Sequence, residues 1–159
     1  MGSVIRLDDL PVTNWRNGLG RKADIATGDG WALSFAWLDA DAPFSDFGGH
    51  NRTQILLAGA GFVLEFNGHP SITVDQPHVP HRYDGGLPVR ARLLDGPCLV
   101  LNVISARDRW SHAVKVTEDV PAEGFAIILD DRYDVAVLPH LLEPAPGTRL
   151  VAIRFTPTA

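Results

Sequence analysis

Two short segments hold most of the residues suited to gripping a polar molecule. Asn14-Trp15-Arg16-Asn17-Gly18-Leu19-Gly20 combines an indole, a guanidinium, two amides and flexible backbone. Residues 42–53 add Phe44, Ser45, Asp46, Phe47, the Gly48-Gly49 pair, His50, Asn51 and Arg52. A guanidinium keeps its charge, and its planar fork matches a carboxylate or a phosphate. Asn102 is the single polar residue in the apolar run 99–104, so if buried it needs a hydrogen-bonding partner. Each of these residues also has a purely structural reading. Trp15 can lid the core, and Phe44 and Phe47 can plug the end of a barrel. Asn17 can brace a turn. Arg52 can form an ion pair with Asp46 or Asp24. Asn102 can satisfy the backbone of a neighbouring loop.

Other chemistry-bearing patterns lead nowhere. Residues 18–23 formally match a dinucleotide fingerprint ending in Ala, but no helical pattern follows them to hold a pyrophosphate, so they read as a Gly-rich turn. None of the six histidines forms a His-x-His pair, the spacing that places two imidazoles on one strand face. His78 and His81 point to opposite faces if their segment is extended. His50 and His81 are the histidines to consider for acid–base work. Cys98 is the only cysteine and lies in an apolar run, where it reads as a small buried hydrophobe. It excludes an intrachain disulfide and a Cys-rich zinc site.

The elements that must position these residues are strands. In residues 31–37 the large apolar side chains fall on odd positions, a period of two. Residues 55–57 and 62–66 continue the pattern around Gly59-Ala60-Gly61, which reads as a hairpin. Further strands are expected at 72–74 and 89–93. The run 99–104 is apolar on both faces and reads as a central strand. Four more fall at 114–116, 125–129, 133–138 and 150–155. Residues 139–143 offer one turn of helix at most. The polar stretch 105–111 reads as a linker between a larger unit, 1–107, and a smaller one, 108–159. About ten or eleven short strands with turn signals between them predict an all-β sandwich or barrel, and the lack of crossover helices argues against a parallel α/β sheet.

The remaining arithmetic bounds the partners. A chain of 159 residues is expected to form one compact domain. A formal charge of −5 without a basic run makes nucleic acid and anionic membranes poor partners. No apolar stretch is long enough to span a bilayer, and the start of the sequence has no signal-like apolar core, so the expected compartment is the cytoplasm. Open sheet edges leave a homodimer as an expectation.

The motif order then carries a resemblance. Trp15-Arg16-Asn17-Gly18-Leu19-Gly20, Ile25-Ala26, Trp31 with Leu33-Ser34-Phe35-Ala36, Pro43-Phe44-Ser45-x-Phe47-x-Gly49-x-x-Arg52, Leu57-x-Gly59-x-Gly61 and Leu94-Asp95-Gly96-Pro97 with Asn102 together resemble the HutD/Ves family. The similarity spans residues 11–107. It implies a cupin-type jelly-roll barrel, double-cupin-like in one chain with a reduced second β-unit. Family members are associated with bacterial histidine utilisation without an established enzymatic activity, and a regulatory role through binding a pathway intermediate such as formylglutamate is implied. The implied site comprises Trp15, Asn17, Phe44, Arg52 and Asn102. The implied ligand is a small anionic metabolite, with no metal and no cofactor. The sequence departs from the family pattern where Leu19 interrupts the glycines, at Lys22 and Asp24, and at Val100. The competing expectation is a cupin enzyme, either a metal-free isomerase or epimerase or a metal-dependent oxygenase. The metal-dependent kind resembles a His-x-His plus Glu plus His pattern that this sequence lacks.

Overall fold

The computed structural model describes residues 4–130, 132–139 and 143–158. In chain order its strands are β1 (Val4–Ile5), β2 (Thr13–Asn14), β3 (Gly20–Gly28), β4 (Trp31–Leu38), β5 (Ala42–Pro43), β6 (His50–Ala58), β7 (Phe62–Phe66), β8 (Ile72–Val74), β9 (Pro80–Asp84), β10 (Val89–Leu93), β11 (Cys98–Ala106), β12 (Trp110–Thr117), β13 (Gly124–Ile128), β14 (Val135–Leu138) and β15 (Leu150–Pro157). The one helical element among the described residues is a 3-10 turn at Leu7–Asp9. The all-β expectation therefore holds.

The strands form three sheets. A six-stranded sheet, β2-β3-β4-β11-β6-β9, lies between a four-stranded sheet, β5-β10-β7-β8, and a five-stranded sheet, β1-β14-β13-β15-β12. β11 sits at its centre and pairs antiparallel with β4 on one side and β6 on the other. That is why residues 99–104 are apolar on both faces. Leu33, Phe35, Ile55, Leu57, Leu101 and Val103 face the five-stranded sheet and pack against Ile127, Val135, Val151 and Ile153. Ala36, Leu38, Leu56 and Val100 face the four-stranded sheet and pack against Phe62, Leu64, Val74 and Ala91. The period of two thus feeds two separate cores from one sheet.

Three local expectations are corrected. β6 and β7 do not form a hairpin: β6 pairs with β11 and β9, whereas β7 pairs with β10 and β8. Gly59 and Gly61, at φ of 105° and 106°, carry the chain from one sheet to the other. A side chain at Gly59 would meet the Pro97 carbonyl at 2.7 Å. The following strands keep crossing between these two sheets, which closes the barrel. Second, the stretch read as a Gly-rich turn is mostly strand. Only residues 15–20 turn, closed by Trp15 N–H to Gly20 O and Gly18 N–H to Trp15 O, and β3 runs nine residues from Gly20. Third, the polar stretch 105–111 is a tight turn rather than a free linker, although the strands before it build the six- and four-stranded sheets and those after it, with β1, the five-stranded sheet. Ser105 and Ala106 end β11, Trp110 and Ser111 begin β12, and Arg109 N–H closes the turn onto Ala106 O. The helical turn expected at 139–143 falls largely on residues outside those described.

Candidate functional site

The site lies on the face of the six-stranded sheet that looks toward the four-stranded one. A cavity of about 530 Å³ opens there. Its floor is Lys22 from β3, Ser34 and Ala36 from β4, Arg52 from β6 and Asn102 from β11; its walls are the loops around Asn14–Asn17 and Pro43–Phe47. All five residues singled out in the sequence, Trp15, Asn17, Phe44, Arg52 and Asn102, line it. β4 and β11 place Ser34 directly opposite Asn102, and β6 places Gln54 on the other side of Asn102. A row of polar residues, Asp24, Ser34, Asn102, Gln54 and His81, therefore crosses five strands at one level of the sheet.

Arg52 dominates the cavity. It is 4% exposed. Its guanidinium lies 5.1 Å from the ring centres of Phe44 and Phe47 and 5.5 Å from that of Tyr83. These aromatic faces hold the guanidinium by cation–π attraction. Its Nη2 makes a long 3.5 Å hydrogen bond to Asn102 Oδ1, and its Nε and Nη1 are buried without a partner. Neither Asp46 nor Asp24 forms an ion pair with it, so the structural reading of Arg52 does not apply. Burial pulls its pKa down from the ordinary arginine value. The Tyr83 phenol, opposite Arg52 in the β6–β9 register, is pushed up to about 12 by burial and stays neutral.

The other residues divide between binding and bracing. Trp15 packs edge-to-face on Phe44 at 5.8 Å, and its indole lies over Gly20, where a side chain would come within 2.6 Å of the ring. Gly20 is thus the residue that lets Trp15 lie flat on the cavity wall. Asn17 Oδ1 accepts the Leu19 N–H at 2.9 Å, so it braces the turn and reaches the cavity with what remains. Asn102 accepts from Arg52 rather than serving a loop backbone. Phe44 and Phe47 are cavity walls as well as plugs.

Four residues at or behind the site were not singled out as ligand-binding: Lys22, Ser34, Gln54 and Tyr83. Gln54 and Tyr83 are buried, and Gln54 Oε1 and the Tyr83 hydroxyl have no hydrogen-bonding partner. Their signal was available in part, because Ser34 and Gln54 interrupt apolar strands at positions that share a face with Asn102. The register that aligns them was not. A second cavity of about 310 Å³ shares Lys22, Ser34, Phe47 and Asn102 with the first and adds Asp24, Thr27, Trp31 and His50. His50 is held by its Nδ1 against Gly48 O at 2.8 Å. His81 lies on β9, while His78 precedes that strand at a positive φ of 68°. Among the described residues no three His, Cys, Asp or Glu side chains gather as a metal site.

The opposite face of the same sheet carries another buried polar group. His112 from β12 is 5% exposed, and both its ring nitrogens are engaged, Nδ1 with Ser105 Oγ at 2.6 Å and Nε2 with Thr53 Oγ1 at 2.8 Å. Burial, assisted by the charge of Arg82, lowers its pKa to about 4, so the ring is neutral near pH 7.

With this geometry in place, comparison with known proteins is decisive. The HutD family model matches residues 7–134. The chain belongs to the HutD family. It is 32% identical over 114 residues to an uncharacterised 21.2 kDa protein in the hutC 3′ region of Pseudomonas putida, and 34% identical over 116 residues to the protein Ves of Citrobacter koseri. The alignments cover 67% and 69% of this chain and 60% of each relative, so the match spans well under two thirds of those proteins. The solved structure of HutD from Pseudomonas fluorescens superposes with a TM-score of 0.79 at 22% identity, covering the whole of both chains. A cupin-2 domain from Rhodospirillum rubrum superposes with a TM-score of 0.51 at 14% identity over 67% of this chain and 76% of its own. The HutD-family fold seen here is cupin-like, as the motif order implied. No helix among the described residues is long and apolar enough to cross a membrane.

Proposed function

We propose that this HutD-family chain is a metal-free binding protein that takes a small carboxylate in the cavity beside Arg52, in a regulatory or metabolite-sensing role. The observation that supports it is a buried guanidinium with no acidic partner among the described residues. An isolated buried charge is costly, and cation–π contacts of about 0.5–2 kcal/mol each offset only part of that cost. A carboxylate in the cavity supplies the missing negative charge and the missing acceptors. The lining favours an anion further, since Arg16 and Lys22 join Arg52 there and no acidic side chain among the described residues does. Ser34 and Asn102 add neutral groups for the remaining oxygens.

The place of a relative in the hutC 3′ region supports an intermediate of histidine breakdown, such as formylglutamate, as the ligand; the proposed site of action is the cytoplasm. Thermal unfolding in the presence of urocanate, formiminoglutamate, formylglutamate and glutamate tests the reading, because a ligand of the native state raises Tm. Formylglutamate at millimolar concentration is expected to raise it, and Arg52→Gln to remove the rise. No rise with any of the four overturns the histidine-pathway ligand. A rise that survives in Arg52→Gln overturns the role of Arg52.

A further inference from the structure

The two cavities differ in charge although they share four residues. The one beside Arg52 has basic residues and no acid, whereas its neighbour has Asp24. Ser34 and Asn102 line both and lie on β4 and β11, the two strands between β3, which carries Asp24, and β6, which carries Arg52. The Asn102 and Asp24 backbones are two strands apart, about 10 Å at the usual strand spacing, and the Arg52 guanidinium reaches Asn102. A chain of about five carbons covers that gap. Asp24 is paired with Lys22 at 3.4 Å, but both side chains are half exposed. Such a pair contributes at most about 1 kcal/mol, so a ligand rearranges it at little cost. Lys22 lines both cavities and can follow the anion, which frees the half-exposed Asp24 carboxylate to accept from the ligand instead.

We infer that the ligand is a carboxylate that also carries a hydrogen-bond-donating nitrogen, with its acid group at Arg52 and that nitrogen at Asp24. This rests on the carboxylate reading of the Arg52 cavity and narrows it. A nitrogen bearing N–H, cationic or amide, satisfies Asp24. A second bare carboxylate at that end meets a like charge, and an alkyl end gains nothing from Asp24.

Three probes with the same five-carbon skeleton separate these cases: 5-aminopentanoate, glutarate and pentanoate. Their dissociation constants are measured by calorimetry on the full chain and on Asp24→Asn and Arg52→Gln, with circular dichroism as the check on folding. The unsubstituted chain is expected to bind 5-aminopentanoate up to about fivefold more tightly than the other two, the ceiling for a charge pair at a half-exposed carboxylate. Asp24→Asn is expected to erase that preference and to leave pentanoate unchanged. Arg52→Gln is expected to weaken all three. Equal or tighter binding of glutarate overturns the inference, as does a preference for 5-aminopentanoate that survives in Asp24→Asn, while leaving the carboxylate reading intact provided Arg52→Gln still weakens binding. Binding of none of the three, or full binding in Arg52→Gln, overturns the carboxylate reading itself and the inference with it.

Discussion

The two faces of the six-stranded sheet both bury polar side chains, and they treat them in opposite ways. Toward the five-stranded sheet, His112, Ser105 and Thr53 close a set of short hydrogen bonds among themselves. Toward the four-stranded sheet, Arg52, Gln54 and Tyr83 keep buried polar atoms without partners beside or behind an open cavity. Folding drives buried polar groups to satisfaction. The closed set is therefore a structural joint between β12 and the central sheet. The open set is the one that the proposed carboxylate would complete. Burial alone does not separate these roles, since His112 and Arg52 are buried almost equally, at 5% and 4% exposure. What separates them is whether the protein itself supplies the partner.

Four measurements probe that contrast. The largest effect is expected from the closed face. Phe35, fully buried between the central and five-stranded sheets, should cost about 3–5 kcal/mol when replaced by Ala, read from denaturant unfolding. The carboxylate affinity of the surviving native protein should be unchanged, because Phe35 points away from the cavity. A loss of binding without a loss of stability would erase the distinction between the faces.

Next comes acid sensitivity. The His112 pKa falls from 6.5 to about 4 on folding. The unfolded chain thus takes up a proton that the folded chain refuses between those values. The His112 contribution is fully present above about pH 6.5 and is lost as pH drops toward 4. The expected total is about 3 kcal/mol. Unfolding curves across that range should show the slope, and His112→Gln should flatten it. An equal slope in the variant would assign the effect to other groups.

Arg52→Met should show a smaller effect of opposite sign. Removing a buried, uncompensated charge while keeping an apolar stem among Phe44, Phe47 and Tyr83 should leave stability unchanged or raise it by about 1 kcal/mol. Carboxylate binding should vanish. A marked loss of stability would mean that Arg52 holds the fold, as His112 does. The smallest effect is expected at Lys22. It is half exposed and paired only with Asp24, so Lys22→Gln should change stability by no more than about 0.5 kcal/mol. A larger change in unfolding free energy would make that pair part of the frame.

Much of the fold is legible in the residues. The alternation in residues 31–37 and the two-sided apolarity of 99–104 identify β4 and the central β11, because side-chain period and burial are local properties of a strand. The short strands β1, β2 and β5 have no such signal, being two residues each and held only by pairing. β3 was hidden by its glycines, since Gly20 answers to the Trp15 indole, a contact with the preceding arm of the turn. The Gly59–Gly61 segment has the composition of a hairpin turn but switches sheets, and composition does not say which strand will pair. At the site, Trp15, Asn17, Phe44, Arg52 and Asn102 were legible from residue type. Ser34, Gln54 and Tyr83 were not, because their relation to Asn102 and Arg52 is a register across strands that are distant in sequence.

The sequence by itself determined the all-β class, the family and the presence of an arginine with amides and aromatics around it. Residue type and period act over a few positions and need no knowledge of distant neighbours. Only the tertiary structure decided that Arg52 meets no carboxylate among the described residues and that His112 has both its hydroxyls. Whether a buried polar group is satisfied depends on which strands meet and in what register. That is settled by packing three sheets together, and by no single segment of the chain.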